Sequence, residues 1–448
     1  MPRWWTLTGV GLVGLIAVLV NIAQHQLEAP FLPWTCTFPM SACPASPMQG
    51  YVHPDYTSVK NTFADQLARG KDLGAGLAVY VRNELVIDLH GGWQSMHPRT
   101  PYTNDTLQLV YSSTKVLTAM VVAQFVQKGL LDYDATVATY WPEFAQGNKE
   151  NVTLADLMQH AGGVGFMDAP LDLATVLDTE KFSALLARQP HNFQGSRVRA
   201  YHSMTLGWYV NELIRRVDPQ GRTLGQFIQD DFNVNHGVEW HLKHNEALQS
   251  RFADHFELPA IGQLHDVYQV LKNGLDFFTF DLLLKHSKPY KTFINTMPDQ
   301  DHAYHINNPK HRQYEGPSFN GYTNAVSMAK LAAMMANQGQ ALMAEEPDLL
   351  DKATFATAAE VQPVTHDVVI RMTMPLLKMG VGVFDLPLGD GEMMQFRGWS
   401  GAGGSLFFWN DQYQIGFGYT TNALIGAAPD SRTLPLLQQV VQQAKKSL

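Results

Sequence analysis

Apolar residues dominate the start of the chain: Trp4 to Ala23 reads WWTLTGVGLVGLIAVLVNIA, with Asn21 its main polar interruption. A helix needs roughly 20 apolar residues to cross a hydrocarbon core, paired Trp4 and Trp5 suit a membrane interface, and Arg3 is the nearby cation. The pattern predicts a transmembrane signal-anchor over residues 1–25, with a cleaved signal peptide and then a mitochondrial presequence as the alternatives. From this follows the expectation of a membrane-anchored protein whose main domain is lumenal or extracellular, or secreted if the segment is cleaved. Residues 26–50 form a Pro-rich linker. Its Cys36 and Cys43, the only cysteines, suit a small disulfide loop or remain two free thiols.

Beyond the linker the periodicity changes. GLAVYV and ELVIDLHG, within Gly76 to Trp93, are short β-rich runs around Arg82-Asn83 and predict a hairpin. Ser112 to Lys128 predicts a long helix stopped by Gly129. A second hairpin is expected from Ser405–Trp409 and Tyr413–Thr421 around Asn410-Asp411. The apolar face Leu436, Leu437, Val440, Val441 and Ala444 then predicts a closing helix over Leu434–Lys446. Strands near both ends and helices between them imply an α+β fold over 51–448. One antiparallel sheet would be built from the N- and C-terminal segments and flanked by helices, with a large helical insertion at about 142–365. The stretch Asp230 to Pro317, rich in His, Asn and Asp, is expected to form long loops over one face.

Composition narrows the function. Of 448 residues, 45% are hydrophobic and 16% charged, enough to bury a sizeable core, and the net charge is -9 with no block of Lys or Arg. A nucleic-acid footprint is therefore absent. Small molecules are the expected partners, with the membrane as a second contact through the N-terminal helix.

Ser112-Ser113-Thr114-Lys115 opens the predicted helix and carries the chemistry. Residues at i and i+3 share a helix face, and the unpaired N–H groups of a helix N-terminus favour negative charge developing on a serine. Lys115 is the candidate base, because burial lowers the pKa of an amine. A second copy, Ser327-Met328-Ala329-Lys330, reads as an ordinary helix start. Two further segments accompany the first motif: Tyr201-His202-Ser203 ahead of a helix beginning near Met204, and Trp399-Ser400-Gly401 in FRGWSGAGGSLFFW, where glycines let a substrate approach the strand closely.

Together Ser112-x-x-Lys115, Tyr201-x-Ser203 and Trp399-Ser400-Gly401 resemble, in order and context, the motifs of the serine β-lactamase and penicillin-binding protein superfamily. The likeness runs from about Gly50 to the C-terminus, and is strongest to the class C-like branch and its β-lactamase-fold carboxylesterases. The strings LQLVYSSTK, LADLMQHAGG, YHSMTLGW and GAGGSLFFW agree. The resemblance implies an acyl-enzyme serine hydrolase with Ser112 as nucleophile and Lys115 and Tyr201 as activators, Tyr201 as phenolate or proton relay. The N–H groups of Ser112 and Ala402 would form an oxyanion hole, and Ser203, Trp399, Ser400 and Gly401 would line the substrate site. No cofactor or metal is implied. Ser203 stands where the family has Asn and Trp399 where it has a cation, so the carboxylate of penicillins loses its ion pair. Neutral esters or amides are the expected substrates, with a true β-lactamase or peptidase, or a non-catalytic binding protein of the same fold, as the alternatives.

Two rival chemistries do not fit the sequence. Gly398-Trp399-Ser400-Gly401-Ala402 approaches a Gly-x-Ser-x-Gly elbow, but the fold that uses it needs a His after the Ser, and the last histidine here is His366. His236, His241 and His244, or His302, His305 and His311, lack a zinc-binding pattern and read as loop histidines. His160 is expected to shape the rim of the site or cap a helix.

Overall fold

The computed structural model describes residues 4–38, 45–243, 245–259, 262, 281, 284–300, 307–389, 391–425 and 429–446. Part of the expected loop region 230–317, with His244, His302 and His305, lies outside them.

An eight-stranded antiparallel sheet is the frame. Its N-terminal strands are β1 (Met48–Val52), β2 (Gly74–Val81), β3 (Glu84–Met96) and β4 (Arg99–Pro101). Its C-terminal strands are β5 (Gly382–Pro387), β6 (Met393–Ser400), β7 (Leu406–Asn410) and β8 (Ile415–Thr421). The main path runs β1-β3-β2-β8-β7-β6-β5, with β4 pairing β3. The halves meet where β8 pairs β2, from Ile415 against Val81 to Thr421 against Ala75. Arg82 and Asn83, both with positive φ, close the β2–β3 hairpin, as a tight turn matched to strand twist requires. In the β7–β8 hairpin, Asn410 Oδ1 accepts the Tyr413 N–H at 2.8 Å.

Helices cover both faces. Counting from the N-terminal helix α1 (Trp4–Glu28), α2 (Thr57–Ala68) and the last helix α6 (Thr433–Lys446) pack on one face. There Val59, Phe63, Leu67, Leu436, Leu437, Val440 and Val441 share a core with Ile87, Phe408 and Phe417. On the other face lie α3 (Thr114–Gln127), α4 (Thr205–Val217) and α5 (Ala325–Ala336). α5 rides directly on β8. A Cβ on Gly416 would come within 2.3 Å of Ala333 N, so the alanine-rich helix and glycine-bearing strand meet backbone to backbone. α3 is buried around almost its whole circumference, from Thr114 to Phe125, which marks it as a central rather than a surface helix.

The N-terminal expectation is corrected. The apolar run is helical, but among the described residues no helix is long and apolar enough to cross a membrane. Asn21, Gln24, His25, Gln26 and Glu28 make the last two turns of α1 largely polar, and Gln26 and the following residues turn to protein contacts. Gln26 Nε2 donates to Leu32 O at 3.0 Å, Phe31 N–H donates to Gly70 O at 3.0 Å, and Ala29 is buried. The transmembrane helix, the membrane as a partner and the membrane-anchored placement of the domain are therefore not supported. Cys36 is disulfide-bonded; Cys43 lies outside the described residues.

Candidate active site

A small three-stranded sheet fixes the approach to Ser112: Gln108–Leu109 pairs Tyr322–Thr323, which also pairs Trp240–His241. Val110 N–H donates to Gly321 O at 2.9 Å, and Gly321 N–H donates to Thr114 Oγ1 at 3.0 Å. The chain then makes a single 3-10 turn, Tyr111–Ser113, before α3. Tyr111 has φ of 46°, an uncommon conformation for a bulky residue and one that clusters at functional sites. Burial holds it there, with its ring edge-on to His255 at 5.6 Å.

One turn later Lys115 reaches back. Its Nζ lies 3.2 Å from Ser112 Oγ and donates to Ser203 O at 2.7 Å and Ser318 O at 2.8 Å. The side chain is 3% exposed, has no carboxylate partner among the described residues, and burial holds its pKa well below that of a free lysine. The Tyr201 hydroxyl donates to the same Ser112 Oγ at 2.7 Å, while burial raises its pKa. Trp399 on β6 stacks on Tyr201, with ring centroids 5.7 Å and planes 12° apart. Phe384 on β5 meets Trp399 edge-on.

Ser112, Lys115, Tyr201 and Trp399, distant in sequence, thus share one buried corner. Ser203 joins them through its main-chain carbonyl. Ser400 ends β6 opposite Leu406, and Gly401 and Ala402 form the turn beside the Ser112 loop, where a Cβ on Gly401 would lie 2.1 Å from Val110 O. The second Ser-x-x-Lys copy does other work. Ser327 Oγ accepts the Glu239 N–H at 2.9 Å, and Lys330 pairs with Glu346 at 2.6 Å.

The family model described as Beta-lactamase matches residues 59–442. The chain belongs to the β-lactamase family. It is 32% identical over 168 residues to the esterase/beta-lactamase LipL of Mycobacterium tuberculosis, covering 38% of this chain and 39% of LipL. It is 32% identical over 107 residues to the esterase EstB of Burkholderia gladioli, covering 23% of this chain and 27% of EstB. The chain thus spans less than half the length of these curated relatives. In structure it resembles a family VIII carboxylesterase with a TM-score of 0.74 and 26% identity, over 89% of this chain and 100% of the other.

Several residues of this β-lactamase-family site escaped the sequence reading. Ser318 supplies a carbonyl to Lys115, and its hydroxyl donates to Met204 O at 2.8 Å; nothing in its loop marks it. Of the two roles expected for His160 the helix cap holds: with φ of 62° it closes the helix Leu154–Met158, its N–H donating to Leu157 O at 3.2 Å and the Ala161 N–H to Asp156 O at 2.7 Å, and it is buried against Tyr201, with ring centroids 4.9 Å apart, instead of at a rim. Its Nδ1 accepts the His202 N–H at 3.1 Å, and burial, followed by His202 and Lys115, lowers its pKa well below the ordinary value. His202 lies 2.6 Å from Ala200 O through Nδ1, and burial brings its pKa down to about 4. Both imidazoles are therefore neutral near pH 7. Of the other histidines, His236 meets Gln124 at 2.9 Å and His241 meets Glu239 at 3.1 Å. Among the described residues no cluster of three or more His, Cys, Asp or Glu is arranged to hold a metal.

Proposed function

We propose that the chain is a serine carboxylesterase that works through an acyl-enzyme on Ser112. The observation that carries this reading is the hydrogen-bond balance around Ser112 Oγ. A neutral Lys115 amine has two N–H donors, and two carbonyls, Ser203 O and Ser318 O, accept at 2.7 and 2.8 Å. Its lone pair is left facing Ser112 Oγ at 3.2 Å, ready for the serine proton. Ser112 Oγ in turn accepts from a neutral Tyr201 hydroxyl at 2.7 Å. With lysine and tyrosine both uncharged every proton has an acceptor; the charged pair would satisfy the same contacts, and the lowered pKa of the one and the raised pKa of the other favour the neutral form. The raised pKa favours Tyr201 as a proton relay over a standing phenolate.

In this mechanism Ser112 Oγ attacks the ester carbonyl as its proton passes to Lys115 Nζ. The tetrahedral oxyanion is received by the N–H groups of Ser112 and Ala402. Collapse breaks the bond to the alcohol, which leaves with a proton delivered through Tyr201. Water then attacks the acyl-enzyme by the reverse proton path and restores Ser112. Ser203, Trp399, Ser400 and Gly401 line the substrate side. Trp399 offers one N–H and an apolar face where a carboxylate would need a cation, which supports neutral esters over penicillins.

A fluorophosphonate probe tests the reading: the intact protein should label, and Ser112→Ala should abolish both labelling and p-nitrophenyl butyrate hydrolysis. Absence of labelling in a folded, intact chain would favour a non-catalytic binding protein, and nitrocefin turned over faster than esters would favour a β-lactamase.

A further inference from the structure

Two buried hydroxyls beside the nucleophile have no part in the proton path above. Ser113 is fully buried and Ser405 is 2% exposed. Ser405 Oγ donates to Val110 O at 2.8 Å. Ser113 Oγ lies 3.0 Å from Ser405 Oγ and 3.3 Å from Trp399 O, so its single proton is shared between them. The two carbonyls at the ends of this bridge belong to different pieces of the chain. Val110 leads into the turn that carries Ser112, and Trp399 precedes the turn that carries Ala402.

These pieces also touch at the backbone. A Cβ on Gly401 would meet Val110 O at 2.1 Å and Ser405 Oγ at 2.3 Å. The Ala402 turn is closed on itself by Gly401 N–H donating to Ser405 O at 3.0 Å and Gly404 N–H donating to Gly401 O at 3.2 Å. Its far side is held by Arg432, 1% exposed, whose Nη2 donates to Gly403 O at 2.8 Å while Nη1 is anchored on Asp72 at 3.0 Å. The turn is thus fixed at its outer end by a buried ion pair and at its inner end by two serines.

We infer that Ser113 and Ser405 are positioning residues: their hydroxyl bridge sets the spacing between the Ser112 and Ala402 N–H groups, and so the fit of the oxyanion hole to the tetrahedral intermediate. The inference rests on the esterase reading above. An oxyanion hole stabilises the transition state far more than the bound ester, so a misplaced donor lowers kcat and leaves KM nearly unchanged. A shift of about 1 Å can cost on the order of 100-fold.

The test uses the full chain with Ser405→Ala, Ser113→Ala and the double variant. Three quantities are measured: kcat and KM for p-nitrophenyl butyrate, Ki for an alkyl boronic acid that forms a tetrahedral adduct on the nucleophile, and the melting temperature. Each single variant should lose roughly 10- to 100-fold in kcat with KM within about 2-fold, and the boronate Ki should rise in parallel. The double variant should lose little more than the worse single, because one bridge is broken only once. Unchanged kcat and Ki, or a loss confined to KM, would overturn the inference. If Ser405→Ala does not fold, Ser113→Ala carries the same test. A wild-type chain without fluorophosphonate labelling would instead remove the esterase reading, whereas labelling together with unaltered boronate affinity in the variants removes the bridge alone.

Discussion

The rings of Tyr201 and Trp399 lie almost parallel, 12° apart, and both are only 6% exposed. The phenol that reaches Ser112 Oγ is thus held against an indole from a strand nearly two hundred residues later in the sequence. Trp399→Lys replaces an apolar wall by a cation. Ester kcat/KM should fall roughly 10-fold as the stack is lost, while nitrocefin turnover rises as its carboxylate gains a partner. Steady-state rates for both substrates decide it, and nitrocefin turnover no better than wild type would remove Trp399 as the specificity switch.

Tyr201→Phe deletes the hydroxyl and leaves the stack. The expected result is a fall in kcat of about 10²- to 10⁴-fold, the usual range for a positioned acid or base, with little change in KM or melting temperature. Near-wild-type kcat would rule out a proton role for Tyr201.

Only one of the two Ser-x-x-Lys copies should matter. Lys115→Ala is expected to reduce ester hydrolysis to background. Lys330→Ala breaks the pair with Glu346 and should leave kcat/KM within about 2-fold, since that pair takes no part in the proton path. The opposite pattern in parallel assays would assign the chemistry to the wrong helix.

The pH profile should carry a sign. Lys115 acts as a base only when neutral, so kcat/KM rises with pH through its depressed pKa, below 10.5. Because burial raises the Tyr201 pKa above 10.0, no alkaline loss from its ionisation is expected before that point. A rate profile from pH 5 to 10 with a descending limb inside this range, in a chain still folded by circular dichroism, would contradict the assignment.

Stability should fall in acid for a related reason. Burial lowers the His202 and His236 pKa values to about 4 and that of His255 to about 3, from 6.5. Between about pH 6.5 and these values the unfolded chain binds protons that the folded chain refuses. Stability is therefore full above 6.5 and is lost as pH drops, by about 1.4 kcal/mol per pH unit for each such histidine. His202→Asn should flatten the slope of urea-unfolding free energy against pH by about one histidine's share. An unchanged slope would mean His202 titrates normally.

Where the chain's chemistry follows local spacing, the sequence was informative. Both hairpins, the helix after Ser112 and the closing helix could be read from period and turn residues, because Arg82-Asn83 and Gly129 act locally. Ser318, Ser113 and Ser405 could not, since a serine in a polar or glycine-rich stretch looks like any other until the fold brings a carbonyl beside it. The error at the N-terminus has a different origin. Window-averaged hydropathy over Trp4–Ala23 passes over the polar Gln24–Glu28 end, whose neighbours settle on Gly70 instead.

The seam between β2 and β8 makes the corner around Ser112 depend on a long-range closure. Trp399 and the Ala402 turn, which wall that corner, belong to strands that find their place by zipping onto a hairpin more than three hundred residues earlier in the sequence. Long-range pairing of this kind is slow. A folding chain in which the helix after Ser112 has formed therefore still lacks the Trp399 wall, and the corner is complete only once the sheet has closed across this seam.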